Sequence, residues 1–307
     1  MTGVAKGGAV APAPAPARVR RTAAVAQVLA AAALWGVNGV VARALFKRAV
    51  DPSHLVQVRM LVGGLALLPL ALTRRAGVDT IRPRRLPGIA LYALLLAAVQ
   101  LSYFQAIAAA GVAVAIFLQY TAPLLVAAFE AVRARRLPSP RIAAALATAT
   151  AGSALLVLPG GGVRVPAAGL LWGIGASFAF ASATLTAGQL RRGGLGATPL
   201  LALGLTLGSL AFIPLRTPWQ ALATIPAADL PYFVYVAVLA TALPFTLYAT
   251  ALSALPGSVA LLLAMLEPVL AAALAWVTLG EALSAAQLAG GALILGAIAI
   301  AARAQSQ

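Results

Sequence analysis

Ten apolar segments, each of roughly 18–25 residues, leave this chain few folds to choose from. They run approximately over 23–45, 54–73, 86–108, 112–132, 141–158, 167–189, 198–215, 231–254, 256–279 and 284–303. Each is long enough for an α-helix to cross the hydrocarbon core of a bilayer. Lipid offers no partner to an open backbone N–H or C=O, so the segments are expected to be helices. A β-barrel is excluded, because the segments are too long for its strands and lack alternation. Hydrophobic residues make up 62% of the 307 and charged residues 9%, against roughly half and a quarter in a soluble domain. The surplus must face lipid.

The charge pattern sets an orientation. A net charge of +16 would suggest nucleic acid in a soluble protein, but these basic residues cluster between apolar spans. With the N-terminus inside, the cytoplasmic loops collect Lys6, Arg18, Arg20, Arg21, Arg74, Arg75, Arg82, Arg84, Arg85, Arg133, Arg135, Arg136, Arg141, Arg191, Arg192 and Arg303. The outside receives only Arg43, Lys47, Arg48, Arg164 and Arg216. This bias puts both termini in the cytoplasm of a multi-pass protein of the cell (inner) membrane. No nucleic-acid partner is expected. Asp51, Asp79 and Asp229 read as solvated loop charges.

The spans fall into two copies of one unit. Leu101 to Pro123 aligns without a gap on Thr246 to Pro268, which sets Tyr103 on Tyr248, Leu118 on Leu263 and Pro123 on Pro268. Upstream, Leu34-Trp35-Gly36 answers Leu171-Trp172-Gly173. A basic, disordered tail with alternating Ala and Pro occupies 1–22, the first five-helix repeat 23–158, a Gly- and Pro-rich linker 159–166, the second repeat 167–303 and a short tail 304–307. Five spans is an odd number, so the second copy enters the membrane from the opposite side. The expected architecture is an all-α polytopic membrane protein of ten transmembrane helices, arranged as two inverted five-helix repeats. Such repeats are a signature of carriers that alternate access across their interface.

Few residues could carry chemistry. Glu267 falls almost midway along the ninth span, where a carboxylate costs about 2.5–3.5 kcal/mol on insertion scales. It is expected to face a wet cavity and bind a cation, a substrate amine or a proton; a packing hydrogen bond to a neighbouring helix is the alternative. Pro268 frees the carbonyl of Ala264, Pro123 that of Gln119 and Pro244 that of Ala240, so these three prolines are candidate hinges. Trp35 and Asn38 share a face of the first span, and polar residues such as Tyr103 and Gln119 interrupt the third and fourth. With Trp172 and Tyr248 from the second copy, they are the candidate lining of a substrate cavity, although some serve only to hold helices together. Arg59 is assigned to the outer interface by snorkelling, with pairing to Glu267 as the alternative, and Glu130 to an ion pair with Arg133. Cysteines are absent and His54 is the single histidine, so disulfides, thiolate chemistry, a His-cluster metal site and a Ser-His-Asp triad are all excluded. No Walker motif occurs either, so the chain does not drive transport with its own ATPase.

Leu34-Trp35-Gly36-Val37-Asn38, Arg59-Met60-Leu61, Leu266-Glu267-Pro268 and Leu279-Gly280-Glu281-Ala282-Leu283 with Gly290 resemble the EamA family of the drug/metabolite transporter superfamily. The resemblance spans about 23–303. It implies inner-membrane carriers, often exporters of amino acids and related metabolites, with a central cavity between two five-helix halves. The copies depart from each other at two acidic positions: Ala122 stands where the second has Glu267, and Arg136 where it has Glu281. The function expected is secondary transport, as an exporter of small metabolites such as amino acids. Its partners would be a small-molecule substrate, the lipid bilayer and protons as coupling ion, with no cofactor. A polytopic membrane enzyme, a lipid-handling protein or a scaffold stays open as the alternative, and the oligomeric state is left open.

Overall fold

A computed structural model describes residues 17–48, 50–73, 77–157, 165–279 and 284–306. The tail before residue 17, most of the linker and Glu281 lie outside them. The helices are α1 Ala17–Lys47, α2 Pro52–Ala71, α3 Leu86–Ala110, α4 Val112–Gln119, α5 Ala122–Ala134, α6 Pro140–Val157 and α7 Ala167–Arg192. They continue with α8 Ala197–Ser209, α9 Pro218–Ala223, α10 Leu230–Ala237, α11 Leu243–Ala251, α12 Gly257–Ala264, α13 Leu266–Leu279 and α14 Ala285–Ser306. There is no strand among the described residues. Among the described residues, seven helical runs are long and apolar enough to cross a membrane: 52–71, 83–110, 114–134, 167–192, 227–251, 257–274 and 285–304. Three of the ten predicted spans correspond to α1, α6 and α8, which are outside that seven; α8 and the turn after it form a shorter apolar helix, Ala197–Phe212.

Many large hydrophobic side chains are exposed. Leu171 is 71% exposed, Val132 78% and Phe178 58%, while all eight residues of α12 are buried. A helix bundle that exposes so many large hydrophobics is suited to lipid rather than water. The chain is thus a multi-pass membrane protein.

Local chemistry sets the helix ends. The Asp51 carboxylate accepts the His54 N–H at 2.8 Å and starts α2, with Pro52 following as the first helical residue. Gly111 ends α3 at φ 85°, a conformation that a side chain would resist. The fourth and ninth predicted spans are each broken at matched positions. Tyr120 and Thr121 separate α4 from α5, and Met265 separates α12 from α13. Pro123 and Pro268 stand just after these breaks, where a missing N–H is tolerated. The eighth predicted span is interrupted as well, by a π-helical segment at Val238–Ala242 ahead of Pro244.

Helices from the two halves of the chain interleave: α3 packs chiefly on α7, α6 on α14, α2 on α8, and α1 on α11 and α13. Between α6 and α14 the approach is close enough to require glycine. A Cβ on Gly152 would lie 2.7 Å from the Gly290 carbonyl oxygen, and one on Gly290 2.5 Å from that of Gly152.

Two acidic residues depart from the expectations. Asp229 is not solvated: it is 5% exposed and ion-paired with Arg48, tying the end of α1 to the start of α10. Asp229 also holds the Arg48 guanidinium above its ordinary value, by hydrogen bonding and charge. Glu130 makes no ion pair with Arg133 among the described residues. It accepts the Gly257 N–H at 2.8 Å and the Ser258 hydroxyl instead, capping the N-terminus of α12, where the helix dipole favours an anion.

Candidate functional site

A cavity opens where the two halves meet. The first half supplies Trp35 and Asn38 from α1, Arg59 from α2, Val99, Gln100 and Tyr103 from α3, and Gln119 from α4. The second half supplies Phe180 from α7, Phe245 from α11 and Glu267 from α13. Its volume is about 30 Å³, room for a few waters rather than for an organic solute.

Five of the seven predicted lining residues meet here: Trp35, Asn38, Tyr103, Gln119 and Glu267. Tyr248 is one layer back. Its ring lies 5.7 Å from that of Trp35 and 6.0 Å from that of Phe180, and its hydroxyl is 3.0 Å from that of Thr184. Trp172 is not part of the lining. It is 38% exposed, and α7 presents Phe180 to the cavity instead. The matched Trp-Gly motifs therefore diverge in use. Trp35 packs edge-on against Phe245 at 4.9 Å, while Gly173 of the second motif packs against Leu118.

The wall is polar beyond its own needs. Four buried atoms in it have no hydrogen-bond partner among the described residues: the donors Trp35 Nε1 and Gln100 Nε2, and the acceptors Asn38 Oδ1 and Gln119 Oε1. A buried polar group left unpaired costs about 1–3 kcal/mol. Four of them converging on one cavity mark a place built to bind something else.

The freed carbonyls are where the halves are tied together. Ala240, released by Pro244, accepts from Arg59 Nη2 at 3.1 Å, and Arg59 Nε donates to Thr241 Oγ1 at 2.7 Å. The Thr241 hydroxyl in turn donates to the Val236 carbonyl of α10 at 2.7 Å. Arg59 is thus 2% exposed, stacked 4.9 Å over Phe104, and does not snorkel to an interface. Its acceptors are in the facing half, which hydropathy along its own helix cannot reveal. Ala264, released by Pro268, accepts from the Tyr120 hydroxyl at 3.0 Å. The same hydroxyl lies 2.6 Å from Glu267 Oε2. One phenol has one proton to give. It is therefore shared between the Ala264 carbonyl and the Glu267 carboxyl. Glu267 is thus wired through Tyr120 to the break between α12 and α13.

Sequence reasoning missed Tyr120 as the partner of Glu267, and also missed Phe180 and Phe245. Tyr120 was legible as a polar interruption one residue after Gln119, and Phe245 as the neighbour of Pro244. Phe180 gave no signal, since any face of α7 could have been the inner one. No group of three or more His, Cys, Asp or Glu side chains that could hold a metal occurs among the described residues.

The model of the EamA-like transporter family matches twice, over 22–158 and 167–303. YicL of Salmonella typhimurium, described as an uncharacterised inner membrane transporter, is 27% identical over 88% of this chain and 92% of its own. YwfM of Bacillus subtilis, an uncharacterised transporter, is 30% identical over 91% and 94%. The threonine/homoserine exporter RhtA of Escherichia coli K12 is 30% identical over 84% and 82%. A solved crystal structure superposes with a TM-score of 0.74 over 94% of this chain and 100% of its own, at 19% identity.

Proposed function

Since this chain belongs to the EamA-like transporter family, we propose that it is a secondary carrier exporting small metabolites such as amino acids. The single observation that carries this reading is the set of four unpaired polar atoms around the cavity shared by the two halves. Transport rather than catalysis suits a site of this kind: it offers hydrogen bonds and charge to a solute, and the relatives named above are described as transporters.

The two halves are read as inverted five-helix repeats making ten spans in all, with both termini in the cytoplasm. Alternating access then requires the cavity to open to one face at a time. The contacts at its two ends fit that role. On one side stand the Arg48–Asp229 pair and the His54 Nε2 contact to the Ala221 carbonyl at 2.7 Å. On the other stands Glu130 on the N-terminus of α12. Releasing either group, with bending at the breaks beside Pro123, Pro244 and Pro268, would admit a solute from that side. Glu267 would bind the substrate amine or a coupling proton, and the Tyr120–Ala264 contacts would pass its state to the broken helix.

Reconstituted liposomes test the reading. The expected result is uptake of at least one radiolabelled small metabolite, strongly reduced in Glu267→Gln and altered by an imposed pH gradient. Absence of flux for every solute across a broad panel would remove the carrier reading. Flux untouched by Glu267→Gln would remove the role given to that residue.

A further inference from the structure

Arg59 is a buried cation without a carboxylate. It is 2% exposed, and no acidic group lies within 4.0 Å of it among the described residues. A buried charge is normally paired, because burial removes its hydration. Arg59 instead has a hydroxyl and a carbonyl, which occupy two of its five N–H donors. Glu267 presents the complementary situation: an acid on the wall of the same cavity, held by a phenol rather than by a cation. The two opposite charges therefore face one small space without touching each other.

From this separation we infer that Arg59 and Glu267 are the two poles of a slot for a zwitterion, with Arg59 receiving a carboxylate and Glu267 an ammonium. The inference rests on the carrier reading above and narrows its substrate class to small amino-carboxylates. A guanidinium binds a carboxylate through two parallel hydrogen bonds, which a hydroxyl and a carbonyl cannot imitate. A cation alone would meet Arg59 unfavourably, and an anion alone would meet Glu267. A solute carrying both charges satisfies each pole. Trp35 Nε1, Gln100 Nε2, Asn38 Oδ1 and Gln119 Oε1 remain for its other polar atoms. Arg59 also caps the Ala240 carbonyl freed by Pro244, so a carboxylate competing for its donors loosens the contact between α2 and the π-helical segment. Recognition and the movement of the bent helix would share one side chain.

The test is a binding and counterflow assay on the full chain in lipid nanodiscs and liposomes. The probes are neutral L-amino acids, threonine among them, and for each binder its methyl ester and its N-acetyl derivative. The ester keeps the ammonium and loses the anion; the N-acetyl form does the reverse. The expected result is that at least one amino acid binds, with each derivative at least about tenfold weaker. Arg59→Gln should abolish the preference for acid over ester while sparing that for free over acetylated amine, and Glu267→Gln should do the opposite. A merely structural Arg59 would weaken all probes in proportion and leave the ratios unchanged, which overturns the assignment. Equal binding of acid and ester by the wild type overturns it without any variant, so a misfolded Arg59→Gln cannot shelter it. Counterflow of amines that lack a carboxylate, with none for amino acids, overturns the slot and leaves the carrier reading standing. Silence for every solute overturns both.

Discussion

Replacing Tyr120 with Phe removes one oxygen from a ring that is 2% exposed, so it changes hydrogen bonding with almost no change of volume. Two groups lose their partner: the Ala264 carbonyl at 3.0 Å and the Glu267 carboxyl at 2.6 Å. An average interhelical hydrogen bond in a membrane contributes only about 0.6 kcal/mol, because the separated helices find other partners. The Ala264 carbonyl has no such alternative, since Pro268 removes the N–H that an unbroken helix would supply. Leaving a buried acceptor unpaired costs about 1–3 kcal/mol, which is roughly 5- to 150-fold in the unfolding constant. Equilibrium unfolding in mixed detergent micelles should therefore show Tyr120→Phe destabilised by about 1–3 kcal/mol. Tyr103→Phe is the control, because its hydroxyl makes no hydrogen bond among the described residues, and it should cost less than about 0.5 kcal/mol. The mechanism is checked by a double-mutant cycle. Pro268→Ala restores an N–H to Ala264, so in that background Tyr120→Phe should cost less by about 1 kcal/mol. An equal cost in both backgrounds would refute the idea that Tyr120 substitutes for the lost helical bond.

Other substitutions probe separate contacts. Gly290→Leu would force apart helices whose backbones meet at Gly152, and should destabilise by at least about 2 kcal/mol in the same micelle assay. Thr241→Val deletes one acceptor of Arg59 and the donor to Val236 at near-constant volume; it should cost about 1–2 kcal/mol and make the π-helical turn exchange its amide hydrogens faster. Glu130→Gln should weaken the cap on α12 by about 1 kcal/mol, an effect that Arg133→Gln should not share. Asp229→Asn should lower stability by the same amount at neutral pH as at about pH 9 as far as Arg48 is concerned. Asp229 raises that guanidinium, so its contribution is complete below the unfolded value and fades only as pH climbs through the still higher folded one.

The helical, lipid-facing character of the chain was legible because it depends on composition over long windows, which tertiary contacts hardly modify. The prolines were equally legible. A proline frees a fixed carbonyl whatever surrounds it, and Ala240 and Ala264 are both found with acceptor bonds to the facing half. The donors to those carbonyls could not be read, since their positions depend on how α2 and α4 pack against helices more than a hundred residues away. Arg59 was misassigned for that reason, as hydropathy places an arginine by depth and ignores rotation about its helix. Trp172 failed differently. Its motif repeats that of Trp35, but α7 faces the cavity through Phe180, so a duplicated sequence does not guarantee a duplicated environment. Asp229 was read as a solvated loop charge and Glu130 as the ion-pair partner of Arg133, and their actual partners likewise come from the facing half.

Alternating access requires that the shared cavity be reached from each side of the membrane in turn. The chain has no native cysteine, so a single reporter can be introduced cleanly. Val99 lines the cavity, is 4% exposed and carries no polar role, which makes Val99→Cys the position of choice. Labelling with a membrane-impermeant thiol reagent in right-side-out and inside-out vesicles reads the access directly. The expected result is modification from both sides, with substrate on either side changing the two rates in opposite directions. Modification from one side alone, or from neither while a permeant reagent still reacts, would contradict alternating access around this site.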